Sequence, residues 1–288
     1  MTLVDSLGVL AGPVLIFGGP YGNLEATEAL RRVARERDIP PSQTICTGDV
    51  VAYGADPQAA VDLIRDWGCA VVMGNCEEAL AADAADCGCG FEDGTACAAL
   101  SDQWFTATRR DLNDDAKRWM GGLPRRLEFT LGGRRLAAVH GSTTQINRFI
   151  FASTPAAVKA AEIAASGCDG IVAGHCGLPF TDIVDGRLWH NSGALGLPAN
   201  DGTPLVWFSV LAAGEGGLRI EHHALAFDHA TAAAKMRARA YPAGYADCLA
   251  SGLWPSCDVL PAAERAARGQ ALVPATHLWP ASLPQAAE

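Results

Sequence analysis

The sequence predicts an α/β fold in which parallel strands carry helices on their faces, and three observations lead to it. Short apolar runs alternate with helical spacing through the first two thirds of the chain. Those runs end in glycine-flanked polar residues, the punctuation of strand ends. With 288 residues, 49% hydrophobic and 19% charged, the chain is also long enough to bury a sizeable core.

Val14 to Phe17 is an apolar run closed by Gly18-Gly19-Pro20, and Leu24 to Arg37 then has helical spacing, with Leu24, Ala29, Leu30 and Val33 on one face. Thr44 to Cys46 leads to Gly48-Asp49, Pro57 to Trp67 is helical, and Cys69 to Met73 is a strand ending at Gly74-Asn75. Repeated strand–turn–helix units imply parallel pairing. Glu77 to Thr95, rich in Ala, Asp, Gly and Cys, breaks the rhythm and reads as an inserted loop. Helical patterning returns from Ala96 to Met120. Leu127 to Leu131 and Arg135 to Val139, joined by Gly132-Gly133, form a hairpin that delivers His140. Pro155 to Ala165 is a helix, and Gly170 to Ala173 a strand leading to His175. Strands follow at Thr181 to Val184, Arg187 to His190, Leu205 to Leu211 and Leu218 to His223, then a helix from Ala230 to Ala240. The expected organisation is one domain over 1–260, with a Cys-rich insertion at 77–97, and a loosely held Ala- and Pro-rich tail over 261–288.

A net charge of -10 argues against a nucleic-acid partner, which needs clustered Lys and Arg to neutralise phosphates. Met1 to Val14 lacks the basic start of a secretory signal, and no apolar run reaches membrane-spanning length, so no membrane association is expected and the cytoplasm is the expected location. In a reducing compartment ten cysteines read as metal ligands, reactive thiols or buried side chains, not as a disulfide framework.

Polar groups that follow parallel strands gather at one sheet edge. Asp49, Asn75, His140 and His175 all occupy such positions and so are expected to converge. One carboxylate, one amide oxygen and two imidazoles suit Mn, Fe or Zn better than Mg or Ca, which prefer oxygen shells. Each residue alone has an ordinary structural reading, a turn for Gly-Asp or a hydrogen bond for His.

In this order the motifs resemble those of the calcineurin-like metallophosphoesterases: Asp-x-His, Gly-Asp, Gly-Asn-His-Asp/Glu, His, Gly-His-x-His. Val50-Val51-Ala52-Tyr53-Gly54-Ala55-Asp56-Pro57 after Gly48-Asp49, and Asn191-Ser192-Gly193-Ala194 further on, are similar to the small bacterial and archaeal phosphodiesterase branch. The resemblance covers roughly residues 14 to 255, Phe227-Asp228 included. It implies a four-layer sandwich of two mixed β-sheets flanked by α-helices, with two metals at one edge. Asp49 would bridge them, and Asn75, His140 and His175 would complete the second position. It also implies hydrolysis of a small phosphomonoester or phosphodiester by metal-activated water, with Asp49, His140 and Cys76 in catalytic positions and Gly22, Asn23 and Gly141 near the substrate.

The chain departs from that pattern on one side. The first metal position would take Gly19, Tyr21, Asp49 and Gly177, and Cys76 replaces the His of Gly-Asn-His. A thiol with a pKa near 8.5 can donate a proton but brings no positive charge. Two readings stand: a decayed first site, or one rebuilt from Tyr21, Cys76, Cys87, Cys89, Cys97 and Cys176, with a Cys-ligated zinc or an iron–sulfur centre as the cofactor. Buried, unconnected cysteines are the competing explanation. Tyr21 either ligates a metal, fills the vacated space or hydrogen-bonds a phosphate oxygen. Tyr53 reads as structural, Arg148 as a surface residue, Cys46, Cys69 and Cys168 as core, and Cys248 and Cys257 carry no signal. The rival to a phosphoesterase is a non-hydrolytic metal or redox sensor, or a scaffold, on the same fold; a homo-oligomer is left open.

Overall fold

A computed structural model describes residues 3–281. Twelve strands run in chain order as β1 (Val4–Leu10), β2 (Val14–Phe17), β3 (Thr44–Cys46), β4 (Ala70–Val71), β5 (Arg126–Leu131), β6 (Arg134–Val139), β7 (Gly170–Ala173), β8 (Pro179–Val184), β9 (Arg187–Ser192), β10 (Val206–Gly214), β11 (Gly217–Leu225) and β12 (Ala275–Pro280). The helices are α1 (Leu24–Glu36), α2 (Pro57–Trp67), α3 (Asn75–Ala81), α4 (Ala96–Asp111), α5 (Asp114–Gly121), α6 (Ala156–Ser166), α7 (His229–Ala238), α8 (Ala243–Ser251) and α9 (Ala262–Ala266).

The strands form two six-stranded mixed sheets, ordered β1-β5-β6-β7-β9-β8 and β12-β11-β10-β2-β3-β4. Alternation along each strand sorts the side chains into layers. Val14, Ile16, Ile45 and Leu211 of one sheet meet Phe129, Leu136, Ala138 and Val172 of the other between the sheets. From the same strands, Leu15, Phe17 and Cys46 face the opposite way and pack with Leu30 and Ala34 of α1 and Val61 and Ile64 of α2. Beyond the second sheet Val139, Ile171 and Ala173 pack on Ile163 of α6. The expected four-layer sandwich is the observed one.

Within each sheet the site-bearing strands are parallel: β2 with β3 and β3 with β4, β6 with β7 and β7 with β9. Their carboxyl ends meet where Gly18 bridges to Ala194 and donates its N–H to Gly193. The β5–β6 hairpin turns through Gly132 and Gly133, both at positive φ (57° and 77°), as a two-residue turn of this hand requires.

Several expectations are corrected. Glu77 is not the start of a loop: α3 continues to Ala81, and the irregular stretch spans 82–95. The Ala96–Met120 helix is two helices, because Leu112 is extended and Asn113 caps α5 by accepting from the N–H of Ala116. The fourth strand shrinks from Cys69–Met73 to Ala70–Val71. β1 is an unexpected strand, because its mostly exposed side chains leave no burial periodicity in the sequence. The tail is not loose over Ala275–Pro280: β12 pairs with β11, and Trp279 is 1% exposed and donates its indole N–H to Gly186 O. Burying that ring is worth on the order of 3 kcal/mol, a gain invisible to a composition argument. Residues 282–288 of the expected tail lie outside the described residues.

Candidate metal centre

Asp49 follows β3 after Gly48. A Cβ on Gly48 would lie 2.7 Å from Gly74 N and 2.9 Å from His140 Nδ1, so only glycine lets the two sheets approach here. Asp49 itself is held at φ 54°, an uncommon conformation for a residue with a side chain. The clamp that maintains it is Glu77, wholly buried in the first turn of α3. Its carboxylate accepts the backbone N–H groups of Asp49, Val50 and Gly74, each at 2.8 Å. Burial and then the Asp49 charge push Glu77 up to about 7, against the pull of those N–H groups. Glu77 is a site residue beyond those expected, and the signal for it is the capping-box spacing Gly74-x-x-Glu77.

Asn75 opens α3, directs its amide N–H to Cys87 O (2.9 Å) and leaves Oδ1 2.9 Å from His140 Nε2. His140 follows β6, and its Nδ1 lies 2.7 Å from the carbonyl of Thr47. A carbonyl can only accept, so the Nδ1 proton points there and Nε2 is left as a lone pair. Around that lone pair stand Asn75 Oδ1, Asp49 Oδ2 at 3.3 Å and His175 Nδ1 at 3.0 Å. Donors about 2.1 Å from one ion at tetrahedral or octahedral angles are roughly 3 Å apart, which is the spacing seen. Asp49, His140 and His175 are all buried, and each brings a ligand atom within 4.8 Å of the other two.

His175, after β7, packs on the ring of Phe149 (4.1 Å), and its Nε2 is buried without a hydrogen-bond partner. Burial, then His140, lowers its pKa to about 3, so it is a neutral donor. Burial opposes charge on Asp49 and His140 alike, but their attraction outweighs it: Asp49 is held below and His140 above the ordinary range. A proton therefore competes with an ion for His140 Nε2. The donor set fits a divalent transition ion: neutral imidazoles, one amide oxygen, one carboxylate and an orphaned buried nitrogen.

The neighbouring position is different. A Cβ on Gly19 would come within 2.1 Å of Tyr21 Cε1, and a Cβ on Gly177 would lie 3.5 Å from the Tyr21 hydroxyl. The phenol ring thus occupies the space between the two glycines. Burial, then Asp49, raises its pKa far above the ordinary value.

A cleft of about 50 Å3 opens beside these groups, lined by Tyr21, Asp49, His175, Phe149, Trp254 and Tyr245 among others. Of the cysteines, Cys89, Cys97 and Cys176 line it, and Cys76 does not. Cys87 and Cys89 are joined as a disulfide, so the stretch from Cys76 to Cys97 holds two free thiols where four were expected. No cysteine joins the Asp49–His140–His175 group among the described residues. Burial, then the Asp49 charge, keeps the Cys76 thiol protonated, and its backbone N–H donates to Asp49 Oδ1 (3.2 Å). Cys176 accepts from Asn191 Nδ2 and sits among Phe151 and Leu260, its pKa pushed up to about 12 by burial. Cys46, Cys168 and Cys248 are buried, while Cys69 and Cys257 are half-buried.

The three residues expected near the substrate have other partners or packing in the fold. Gly22 N–H is taken by Val50 O, and Asn23 caps α1 while its amide donates to Gly196 O. Neither lines the cleft; both line a separate small cavity. Gly141 is required by packing, since a Cβ there would meet Ile146 O at 2.4 Å. Arg148 pairs with Glu162 at 2.7 Å, and Tyr53 packs edge-on against Tyr21 and Trp104 and tilted against Tyr245.

The family model for the calcineurin-like phosphoesterase superfamily domain matches residues 22–212. An uncharacterized protein of Methanocaldococcus jannaschii is 28% identical over 185 residues, 63% of this chain and 69% of that one. Two crystal structures share the fold over 85% of this chain and 100% of their own. One is a metallophosphoesterase from Sphaerobacter thermophilus (22% identity, TM-score 0.64), the other a hypothetical protein from Pyrococcus horikoshii (15% identity, TM-score 0.70).

Proposed function

Because the chain belongs to the calcineurin-like phosphoesterase superfamily, we propose that it hydrolyses a phosphoester bond of a small substrate at Asp49, Asn75, His140 and His175. The observation that carries this reading is the lone pair of His140 Nε2, fixed by Thr47 and faced by three further donor atoms. Those four residues would hold a divalent Mn, Fe or Zn ion, which would supply Lewis-acid polarisation of a phosphoryl oxygen and lower the pKa of a water. Asp49 and Asn75 orient the ligand set, Glu77 holds Asp49 in place, and Phe149 and Trp254 give the cleft an apolar wall. Among the described residues that line it there is no Lys or Arg. One divalent ion and one carboxylate leave about one positive charge, which matches a singly charged phosphodiester better than a doubly charged monoester.

A second reading, a non-hydrolytic metal or redox sensor or scaffold, is favoured by the Tyr21 ring between Gly19 and Gly177 and by a cleft far smaller than the roughly 300 Å3 of common ligand sites. Metal and sulfide analysis of anaerobically purified protein, then assays on aryl phosphomonoesters and phosphodiesters, separates the two. Diester hydrolysis lost in His175→Ala supports the enzyme. Bound ion with no hydrolysis under any metal supplement sinks it.

A further inference from the structure

Tyr21 packs in the main core against Tyr53 and at the same time lines the cleft beside this centre. Its backbone is at φ 53°, strained for an aromatic residue, and such outliers concentrate at binding and catalytic sites. The strain is imposed on both sides: Tyr21 N–H donates to Asp49 O at 3.1 Å, and Tyr21 O accepts from Gly54 N–H at 2.7 Å. Tyr21 and Asp49, both at positive φ, are thereby tied to each other. The residue is only 6% exposed, and its hydroxyl has no hydrogen-bond partner among the described residues. It faces the cleft that Asp49, His175 and Gly177 also line. A largely buried phenol that faces the cleft and whose hydroxyl has no partner on the protein is placed to bond a group bound there.

Resting on the reading above, we propose that Tyr21 is a substrate-contacting residue: its hydroxyl donates a hydrogen bond to an oxyanion oxygen of the phosphoryl group bound at Asp49, Asn75, His140 and His175. Its ring at the same time closes the neighbouring position, so the centre holds one ion per chain. A neutral phenol then does part of what a second cation would do, without adding charge to a site whose one lining carboxylate is Asp49. Gly177 has no side chain and the Cys176 thiol is turned to Leu178 O; of the hydroxyls that line the cleft, those of Tyr21, Tyr53, Tyr245 and Ser256, that of Tyr21 is the one set between Gly19 and Gly177.

The test uses Mn-loaded full-length protein and orthophosphate, read by calorimetry, with Tyr21→Phe as the variant. Removing a hydroxyl that has no protein partner should leave Tm and Mn affinity unchanged while weakening orthophosphate binding about tenfold or more. Equal affinity in the two proteins, or no orthophosphate binding by the wild type, overturns the proposal. Two Mn ions per chain overturn its one-ion half. Fluorotyrosine-labelled wild type gives a check that needs no variant: of the four tyrosines, one 19F resonance should move on adding orthophosphate, and four unmoved resonances overturn the contact. Failure of the phosphoesterase reading is distinct, since it would appear as orthophosphate binding that depends on Tyr21 with no ester hydrolysed.

Discussion

The carboxylate of Glu77 accepts the backbone N–H of Asp49 at 2.8 Å and shares its other contacts between Val50 and Gly74. One buried side chain thus joins the loops after β3 and β4, which carry Asp49 and Asn75. Glu77→Ala would leave three buried N–H groups without partners, at about 1 kcal/mol or more each. The expected outcome is a loss of at least 3 kcal/mol in denaturant unfolding together with weaker Mn binding. Unchanged stability would show that the clamp is not needed.

Gly19 and Tyr21 are coupled sterically. Gly19→Ala should destabilise the protein, because its methyl group meets the Tyr21 ring at 2.1 Å, whereas the same change in a Tyr21→Ala background should cost much less. Thermal melts of the two single variants and the double variant measure the coupling, and we expect an interaction of roughly 1–3 kcal/mol. Additive effects would mean that the ring does not occupy the Gly19 position.

Metal affinity should rest on His140 more than on any cysteine. His140→Ala is expected to abolish Mn binding by calorimetry, since Asp49, Asn75 and His175 all meet at its Nε2. Cys87→Ser with Cys89→Ser should leave ion content unchanged, because those sulfurs are bonded to each other. Ion loss in the double serine variant would bring the loop back into the site.

A second histidine group predicts an acid limit to stability. Thr181 links His190 and His222 between the sheets, His190 reaches Ser209, and His277 lies beyond His222. Burial, then the neighbouring histidines, depresses both: His222 to about 4, His190 further. With folded pKa values below the unfolded 6.5, the unfolded chain takes up protons first as pH falls. This contribution is therefore fully present above about pH 6.5 and is lost toward pH 4, on the order of 3 kcal/mol for His222. Urea midpoints between pH 7 and pH 4.5 should fall less steeply in His222→Gln, and equal slopes would remove His222 as the cause.

Much of the scaffold was legible because its signals are local. The runs Val14–Phe17, Thr44–Cys46 and Gly170–Ala173 were read within a residue of where they lie, and the hairpin glycines named their own turn. The C-terminal strand was not legible: Ala275–Pro280 is a strand because β11 offers an edge and Trp279 finds a pocket, and neither fact resides in the segment itself. At Gly22 and Asn23 the turn matched by sequence spends its polar groups on Val50 O and on capping α1, a use its motif alone does not tell.

By itself the sequence determined the order of strands and helices and the kinds of ligand that follow the strands, because periodicity, turn chemistry and residue type act over a few positions. Only the tertiary structure decided what those ligands face. The carbonyl of Thr47, 93 residues from His140, fixes which imidazole nitrogen is free, and the bend at Tyr21 swings its ring over Gly19 and toward Gly177. Such contacts arise between chain segments far apart in sequence, and their geometry exists only once the two sheets have packed.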